Sequence, residues 1–325
     1  MTELRIFVDF VMAPEVLELL REGTAGHTLV FPKTPAASVL VQAAPDAALA
    51  TVDVAFGQPD PGAIAQTTQL RWVHVSSSSI TRYDTPQFRA QMAERGLAVS
   101  NSASVYNEAC ALHALSFMLA QARHLPRSLQ TRTPNGSPAW HSLRGACAPL
   151  RGQTALILGF GAIGRCLVEF LRPHGMNLLA HRRTARGDEG IPVVDRNNLD
   201  QVLAREADHI INILPDSAET RGFFGEARFA AVKPGAVFYN IGRGTTVDQT
   251  ALVGALRSGR LSAAWLDVTD PEPLPGDHPL RHEPTCFITP HVAGGHTDEA
   301  KTLVCHFLAN LKRFTKGEPL LDRVI

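Results

Sequence analysis

Short apolar runs recur along the chain, separated by stretches whose pattern suits helices. Leu4-Arg5-Ile6-Phe7-Val8 alternates and is rich in β-formers, and Pro14 to Arg21 then reads as a helix that begins at a proline in its first turn. The alternation continues through His27–Phe31, Val52–Phe56 and Leu70–Val75 and reaches Leu97-Ala98-Val99-Ser100-Asn101, which makes a first α/β unit. Ala109 to Arg123 is apolar on most sides and carries few formal charges, so a buried helix is expected, with His113 in it as a satisfied core histidine rather than a ligand. Leu125 to Leu150, interrupted by Pro126, Pro134, Pro138 and Pro149, reads as an irregular arm; Trp140 and Leu143 on it suit either a dimer contact or packing on their own subunit. From Gly152 the pattern becomes strands spaced by helices: Thr154–Leu158, Asn177–Ala180, His209–Ile213, Ala236–Ile241, Ala263–Asp267 and Cys286–Thr289. Six such strands is the count of a Rossmann sheet. A last helix is expected from about Asp298 to Thr315, ending at Gly317 and Pro319, with a tail that packs back on the first domain.

The first strand of that second unit empties into Gly159-Phe160-Gly161-Ala162-Ile163-Gly164. Gly159 permits the tight turn, Gly161 lets a backbone approach a pyrophosphate, and Gly164 lets the following helix lie close to its strand. The first amides of that helix, at Ala162 and Ile163, and its positive dipole end would face the phosphates.

Composition narrows the partner. A chain of 325 residues is long enough for two domains, and Lys+Arg and Asp+Glu balance at 31 each, which argues against a general nucleic-acid or acidic-membrane binder and for a small-molecule ligand. Five scattered cysteines without a CxxC spacing suggest reduced thiols in a cytoplasm and no zinc site. Met1 to Phe10 carries Glu3, Arg5 and Asp9 within its apolar pattern, unlike a signal peptide, and no apolar run approaches the roughly 20 residues of a membrane span.

Candidate chemistry gathers at strand ends. The second Rossmann strand ends His181-Arg182-Arg183-Thr184, where an acid would accept from the ribose 2′-hydroxyl of NAD; two guanidinium groups stand there instead, each able to grip a 2′-phosphate, and Asp188 and Glu189 come too late to substitute. Leu214-Pro215, with Thr220 five residues on, would lie at the floor of a nicotinamide site, although a simple strand end explains it nearly as well. Asn240-Ile241-Gly242-Arg243-Gly244-Thr245 ends a strand in a glycine turn around an arginine suited to a carboxylate in the cleft between domains; alone, Arg243 would read as a surface ion-pair residue. Glu272 is held between Pro271 and Pro273, and His291 follows a strand and a proline as a natural acid–base residue whose pKa a neighbouring carboxylate would raise. Ser76-Ser77-Ser78-Ser79, after Leu70–Val75, is read equally as a polar loop or as hydroxyls and amides for a substrate carboxylate.

These motifs, in this order and at these separations, resemble the D-isomer-specific 2-hydroxyacid dehydrogenases, and within that family the NADPH-dependent glyoxylate and hydroxypyruvate reductases. The resemblance implies two Rossmann-like α/β domains: a doubly wound parallel-sheet cofactor domain, residues 102–295 with a helical arm at 109–150, inserted in a smaller flavodoxin-like substrate domain formed by residues 1–101 and 296–325. It implies Arg243, Glu272 and His291 as the catalytic set, Arg243 with Ser77, Ser78 and Ser79 on the substrate, and a cofactor site running through Gly159 to Gly164, Arg182, Arg183, Leu214, Pro215, Thr220, Ile241, Gly242, Asp267, His291 and Gly294. Asp267 resembles the family acid near the nicotinamide carboxamide, and family members are usually homodimers. Three departures stand out: Arg182 in place of the usual acid, a serine run where the substrate loop usually reads Ala-Gly-Val, and Ala111-Leu112-His113 where Ala-Glu-His is usual. The reading that follows is reversible reduction of a 2-oxo acid to a D-2-hydroxy acid, with NADP(H) preferred over NAD(H) and no metal. A nicotinamide-sensing, corepressor-like binding protein on the same fold is the alternative.

Overall fold

The computed structural model describes residues 3–36, 41–131 and 133–325, and the chain divides into two compact units, residues 1–106 with 295–325, and residues 107–294. Both are built on all-parallel sheets with helices, the α/β class.

Among the described residues the first unit has five strands, β1 (Arg5–Val8), β2 (Thr28–Val30), β3 (Val54–Gly57), β4 (Trp72–Val75) and β5 (Ala98–Ser100), in the order β2-β1-β3-β4-β5. That is the flavodoxin-like order. Its helices α1 (Pro14–Gly23), α2 (Pro61–Gln66) and α3 (Pro86–Glu94) each start at a proline, which suits the first helical turn because the missing N–H has no intrahelical partner there. Asp60 and Thr85 cap α2 and α3 through their side chains. The C-terminal helix, Glu299–Lys316, belongs to this unit: Phe307 stacks on Phe56 and Trp72 with ring centroids 4.4 and 5.3 Å away. Beyond it the chain pairs with β5, Val324 N donating to Val99 O at 2.8 Å and Val99 N to Ile325 O at 3.1 Å.

Helix α4 (Ala103–Ala122) begins in the first unit and continues into the second. The second unit then runs α5 (Leu125–Gln130), α6 (Pro138–Ala146), β6 (Thr154–Leu158), α7 (Ala162–Leu171), β7 (Asn177–His181), β8 (Val193–Val194), α8 (Leu199–Arg205), β9 (His209–Asn212), α9 (Glu226–Ala231), β10 (Ala236–Asn240), α10 (Gln249–Arg257), β11 (Leu261–Leu266) and β12 (Cys286–Ile288). Its strand order, β12-β11-β10-β9-β6-β7-β8, moves outward from β6 and then returns through β9 on the other side. The reversal between β6 and β9 is the switch point at which such sheets take a nucleotide beyond their carboxyl ends.

Two expectations are corrected here. The sheet has seven strands rather than six: β8 is only two residues long and follows Pro192, too short to show a periodicity. The arm is not irregular throughout, since Pro126 and Pro138 sit in the first turns of α5 and α6, and Ser137 caps the latter. Prolines read as breaks are here the starts of helices. Because Phe307 is fully buried against two aromatic rings of the first unit, Phe307→Ala should lower stability by about 3–5 kcal/mol in urea unfolding, and a loss under about 1 kcal/mol would show that the C-terminal helix is not part of that core.

Candidate active site

The glycine turn after β6 is sterically exacting. Gly159 has φ +91°, and a Cβ there would lie 2.6 Å from the carbonyl oxygen of Ile213. Gly164 faces the Phe160 ring, where a Cβ would come to 3.1 Å, whereas at Gly161 a Cβ would meet nothing within 4 Å. Space is therefore left open on the side of Gly161, which is also the N-cap of α7 and supplies no side chain to cap it. The first intrahelical bond is Arg165 N to Gly161 O, so the amides of Ala162, Ile163 and Gly164 precede the helix ladder and point out of its positive end. An uncapped helix start beside a glycine turn at the switch point fits a dinucleotide pyrophosphate.

The end of β7 is joined to this turn directly, through Gly159 N donating to His181 O at 3.0 Å. Arg182 and Arg183 follow, but they are not equivalent. Arg182 is mostly buried, with 16 % of its side chain exposed, and its Nη1 donates to Glu189 at 3.1 Å; Arg183 is 84 % exposed and reaches only Glu219, at 3.4 Å. Glu189 is folded inward and so engaged with the loop itself. Leu214 is buried, and Pro215 accepts from the Thr220 hydroxyl at 2.5 Å, which closes the turn after β9.

After β10, Ile241 is buried, and Gly242 passes so near the β9 turn that a Cβ would lie 2.7 Å from Leu214 O. Asn240 accepts from Gly242 N at 3.1 Å and donates to Arg243 O at 3.1 Å, so the turn that presents Arg243 is tied to the strand before it. Thr246 donates to the same carbonyl at 2.7 Å. At Gly244 a Cβ would stand 2.0 Å from Thr269 O, which brings the Arg243 turn against the turn carrying Glu272. Arg243 is half-buried; burial lowers its pKa against the charges of Glu272 and Asp216, but a guanidinium stays charged at working pH.

His291 Nδ1 and Glu272 Oε2 lie 2.8 Å apart, and Glu272 Oε1 accepts from Thr269 N at 3.2 Å. The bond from Glu272 is the largest influence on His291 and holds its pKa above the usual value, against burial. Burial pushes the Glu272 carboxyl up, but the bond and charge of His291 outweigh it, and its pKa falls below the ordinary range. With Nδ1 engaged, Nε2 is the ring position left to exchange a proton.

Asp267, at the end of β11, organises the loop that carries His291. Its carboxylate accepts from the Thr289 hydroxyl at 2.6 Å and from the amides of Val292 and Ala293 at 2.9 and 2.8 Å, and its own carbonyl accepts from His291 N at 2.9 Å. His291 adopts φ +53°, the left-handed region that a residue with a side chain rarely enters without such restraint. His113 reaches the same group, its Nε2 3.1 Å from the Thr289 hydroxyl, so it is a satisfied histidine. Gly294 ends the second unit.

The second unit thus brings Arg243, Glu272 and His291 onto adjoining turns at the carboxyl edge of one sheet. Ser77 to Ser79 belong to the first unit, after β4. There the Ser77 hydroxyl donates to Ser79 O and accepts from Gln58, Ser79 pairs with Thr81, and the amides of Ser77, Ser78 and Ser79 make no hydrogen bond among the described residues. Thr289 is not among the expected site residues, and Glu189 is set aside in sequence as too far along the chain. Gly187 and Gly190 bracket Glu189, and both take positive φ in the folded loop.

Comparison with known proteins identifies the family. The profile of the NAD binding domain of D-isomer specific 2-hydroxyacid dehydrogenases matches residues 115–293. The glyoxylate reductase of Aeropyrum pernix is 30% identical over 97% of this chain and 93% of its own. The human glyoxylate reductase/hydroxypyruvate reductase is 32% identical over 71% of this chain and 70% of its own. Among solved structures, the NADPH-dependent glyoxylate/hydroxypyruvate reductase of Sinorhizobium meliloti, in complex with NADP and malonate, superposes with a TM-score of 0.74 at 27% identity over 99% of this chain and 97% of that one. The chain belongs to the D-isomer specific 2-hydroxyacid dehydrogenases, oxidoreductases that use a nicotinamide cofactor to interconvert 2-oxo and 2-hydroxy acids.

Proposed function

We propose that this protein reduces a small 2-oxo acid of the glyoxylate or hydroxypyruvate kind to its D-2-hydroxy acid, with NADPH preferred over NADH. The observation that carries the reading is the 2.8 Å pair of His291 and Glu272 on the turn packed against Arg243, in the unit that also offers an uncapped helix start after Gly159. Arg243 holds the substrate carboxylate bidentately and so orients the carbonyl. In the first unit, Ser77, Ser78 and Ser79 are proposed as donors to a substrate carboxylate, because their amides make no hydrogen bond among the described residues. When bound, the reduced nicotinamide supplies a hydride to the carbonyl carbon. His291 gives its Nε2 proton to the carbonyl oxygen, and Glu272, accepting at Nδ1, keeps the imidazolium populated until then. In the reverse direction the neutral imidazole takes the hydroxyl proton.

The preference for NADPH is supported by the guanidinium of Arg182 one residue beyond the strand end that bonds to the glycine turn, and by the absence of an acid there. A homodimer is supported by exposed leucines on and after α4: Leu112, Leu119, Leu125 and Leu129. Five unpaired cysteines support a reducing, cytoplasmic setting, and no helix among the described residues is long and apolar enough to cross a membrane.

The test is loss of the reduced-nicotinamide absorbance with NADPH or NADH and glyoxylate, hydroxypyruvate, pyruvate or phenylpyruvate. Faster loss with NADPH and one of the two small hydroxylated or aldehydic acids is expected; no reduction of any 2-oxo acid by either cofactor overturns the reading. His291→Ala should lower kcat about 10²- to 10⁴-fold with NADPH binding unchanged, and retained turnover would remove His291 from its role. Glu272→Gln removes the carboxylate that most raises the His291 pKa and leaves the burial that lowers it. The His291 ring should then titrate at lower pH by NMR, and the protonated donor should be lost at lower pH as pH rises; an unchanged titration would mean that Glu272 does not set it.

A further inference from the structure

The loop after β7 carries a feature that the nicotinamide reading leaves unused. Glu189 is almost wholly buried, with 3 % of its side chain exposed, and its carboxylate takes three donors: Arg186 N at 2.7 Å and Arg182 Nη1 at 3.1 Å on Oε1, and Gly187 N at 2.9 Å on Oε2. The residues on either side of it are held by two arginines, one in α7 and one just past its end. Arg165, in the first turn of α7, donates to the Asp188 carboxylate at 2.9 Å and to its carbonyl at 2.8 Å, and Arg172 donates to Gly190 O at 3.3 Å. The loop is therefore pinned at three successive residues, and the middle one grips Arg182.

We propose that Glu189 is a positioning residue for cofactor choice: it holds Arg182 in place for the 2′-phosphate of NADPH, and being buried it does not serve as an acceptor for the ribose 2′-hydroxyl of NADH. The proposal rests on the NADPH reading above. An arginine has five N–H donors, and this contact uses one, so the guanidinium keeps the rest of its fork for a phosphate. Holding a long side chain in advance removes much of the ordering cost that a phosphate would otherwise have to offset on binding. Arg183 shows the contrast, since it is 84 % exposed with one long contact and is free of such restraint. Of the two arginines, Arg182 discriminates between the cofactors and Arg183 adds a salt-screened attraction. The two amides on the Glu189 carboxylate also fix it in the loop, so that the anchor of Arg182 is itself held in place.

Calorimetric titration of the whole protein with 2′-phospho-AMP and 5′-AMP, the fragments with and without the discriminating phosphate, reads this without turnover; fluorescence titration with NADPH and NADH accompanies it. Arg182→Ala should weaken 2′-phospho-AMP and NADPH about tenfold or more, the span expected when a charged hydrogen bond is lost. Glu189→Gln should weaken the same two ligands about five- to tenfold and leave 5′-AMP and NADH within about twofold. Glu189→Asp, which keeps the charge but withdraws it by one methylene, should fall between and serves if the glutamine variant does not fold. Tighter 2′-phospho-AMP binding by Glu189→Gln would overturn the proposal, because Glu189 would then be neutralising Arg182. Equal weakening of all four ligands would overturn it as well, leaving only a structural role. If Arg182→Ala changes nothing, the NADPH reading itself fails; if Arg182→Ala weakens binding and Glu189→Gln does not, the positioning role alone fails.

Discussion

The carboxylate of Asp267 is the point on which the second unit's chemistry hangs. It is buried at the end of β11 and accepts from the loop after β12, through the Thr289 hydroxyl and the amides of Val292 and Ala293, with His113 Nε2 3.6 Å away. A buried carboxylate left unpaired is costly, so the loop has little freedom to leave. That restraint holds His291 in a left-handed backbone conformation and sets its ring beside Glu272. Asp267 therefore fixes the backbone that presents His291 to Glu272.

The opposite side of the sheet uses charge and backbone amides in a different manner. Between β6 and β7 there is no side-chain cap on α7 and no Cβ at Gly161, only amides before the first helical bond. The arginines gathered nearby are not left to repel one another, because Arg165 and Arg182 are each paired with a loop acid, Asp188 and Glu189. This basic rim is thus paired with one buried carboxylate, Glu189, and one exposed one, Asp188, and its remaining N–H donors are the ones proposed for a phosphate.

Much of this was legible in the chain because parallel strands buried on both faces leave continuous apolar runs, and because residues that do chemistry in such sheets stand just beyond the carboxyl ends of those runs. Thr154–Leu158 into Gly159, Ala236–Asn240 into Gly242, and Cys286–Ile288 into Pro290 all follow this rule. What stayed hidden depends on side-chain direction or on very short elements. β8 is too brief for a period, and Pro126 and Pro138 look alike whether they end a helix or begin one. Glu189 was set aside because it lies too far along the chain from the strand end, yet a loop with glycines at positive φ brings it back to Arg182. Thr289 carries no mark in sequence, since its part is to satisfy Asp267.

In the proposed mechanism His291 exchanges the proton, with Glu272 holding its pKa above the ordinary value. The most direct test is the pH dependence of kcat measured in both directions, 2-oxo acid reduction and 2-hydroxy acid oxidation. Reduction needs the imidazolium, so its rate should fall as pH rises through the His291 pKa; oxidation needs the neutral ring, so its rate should fall as pH drops through it. Mirror-image limbs with that relation are the predicted result. Limbs falling on the same side in both directions, or no inflection in either, would contradict the claim.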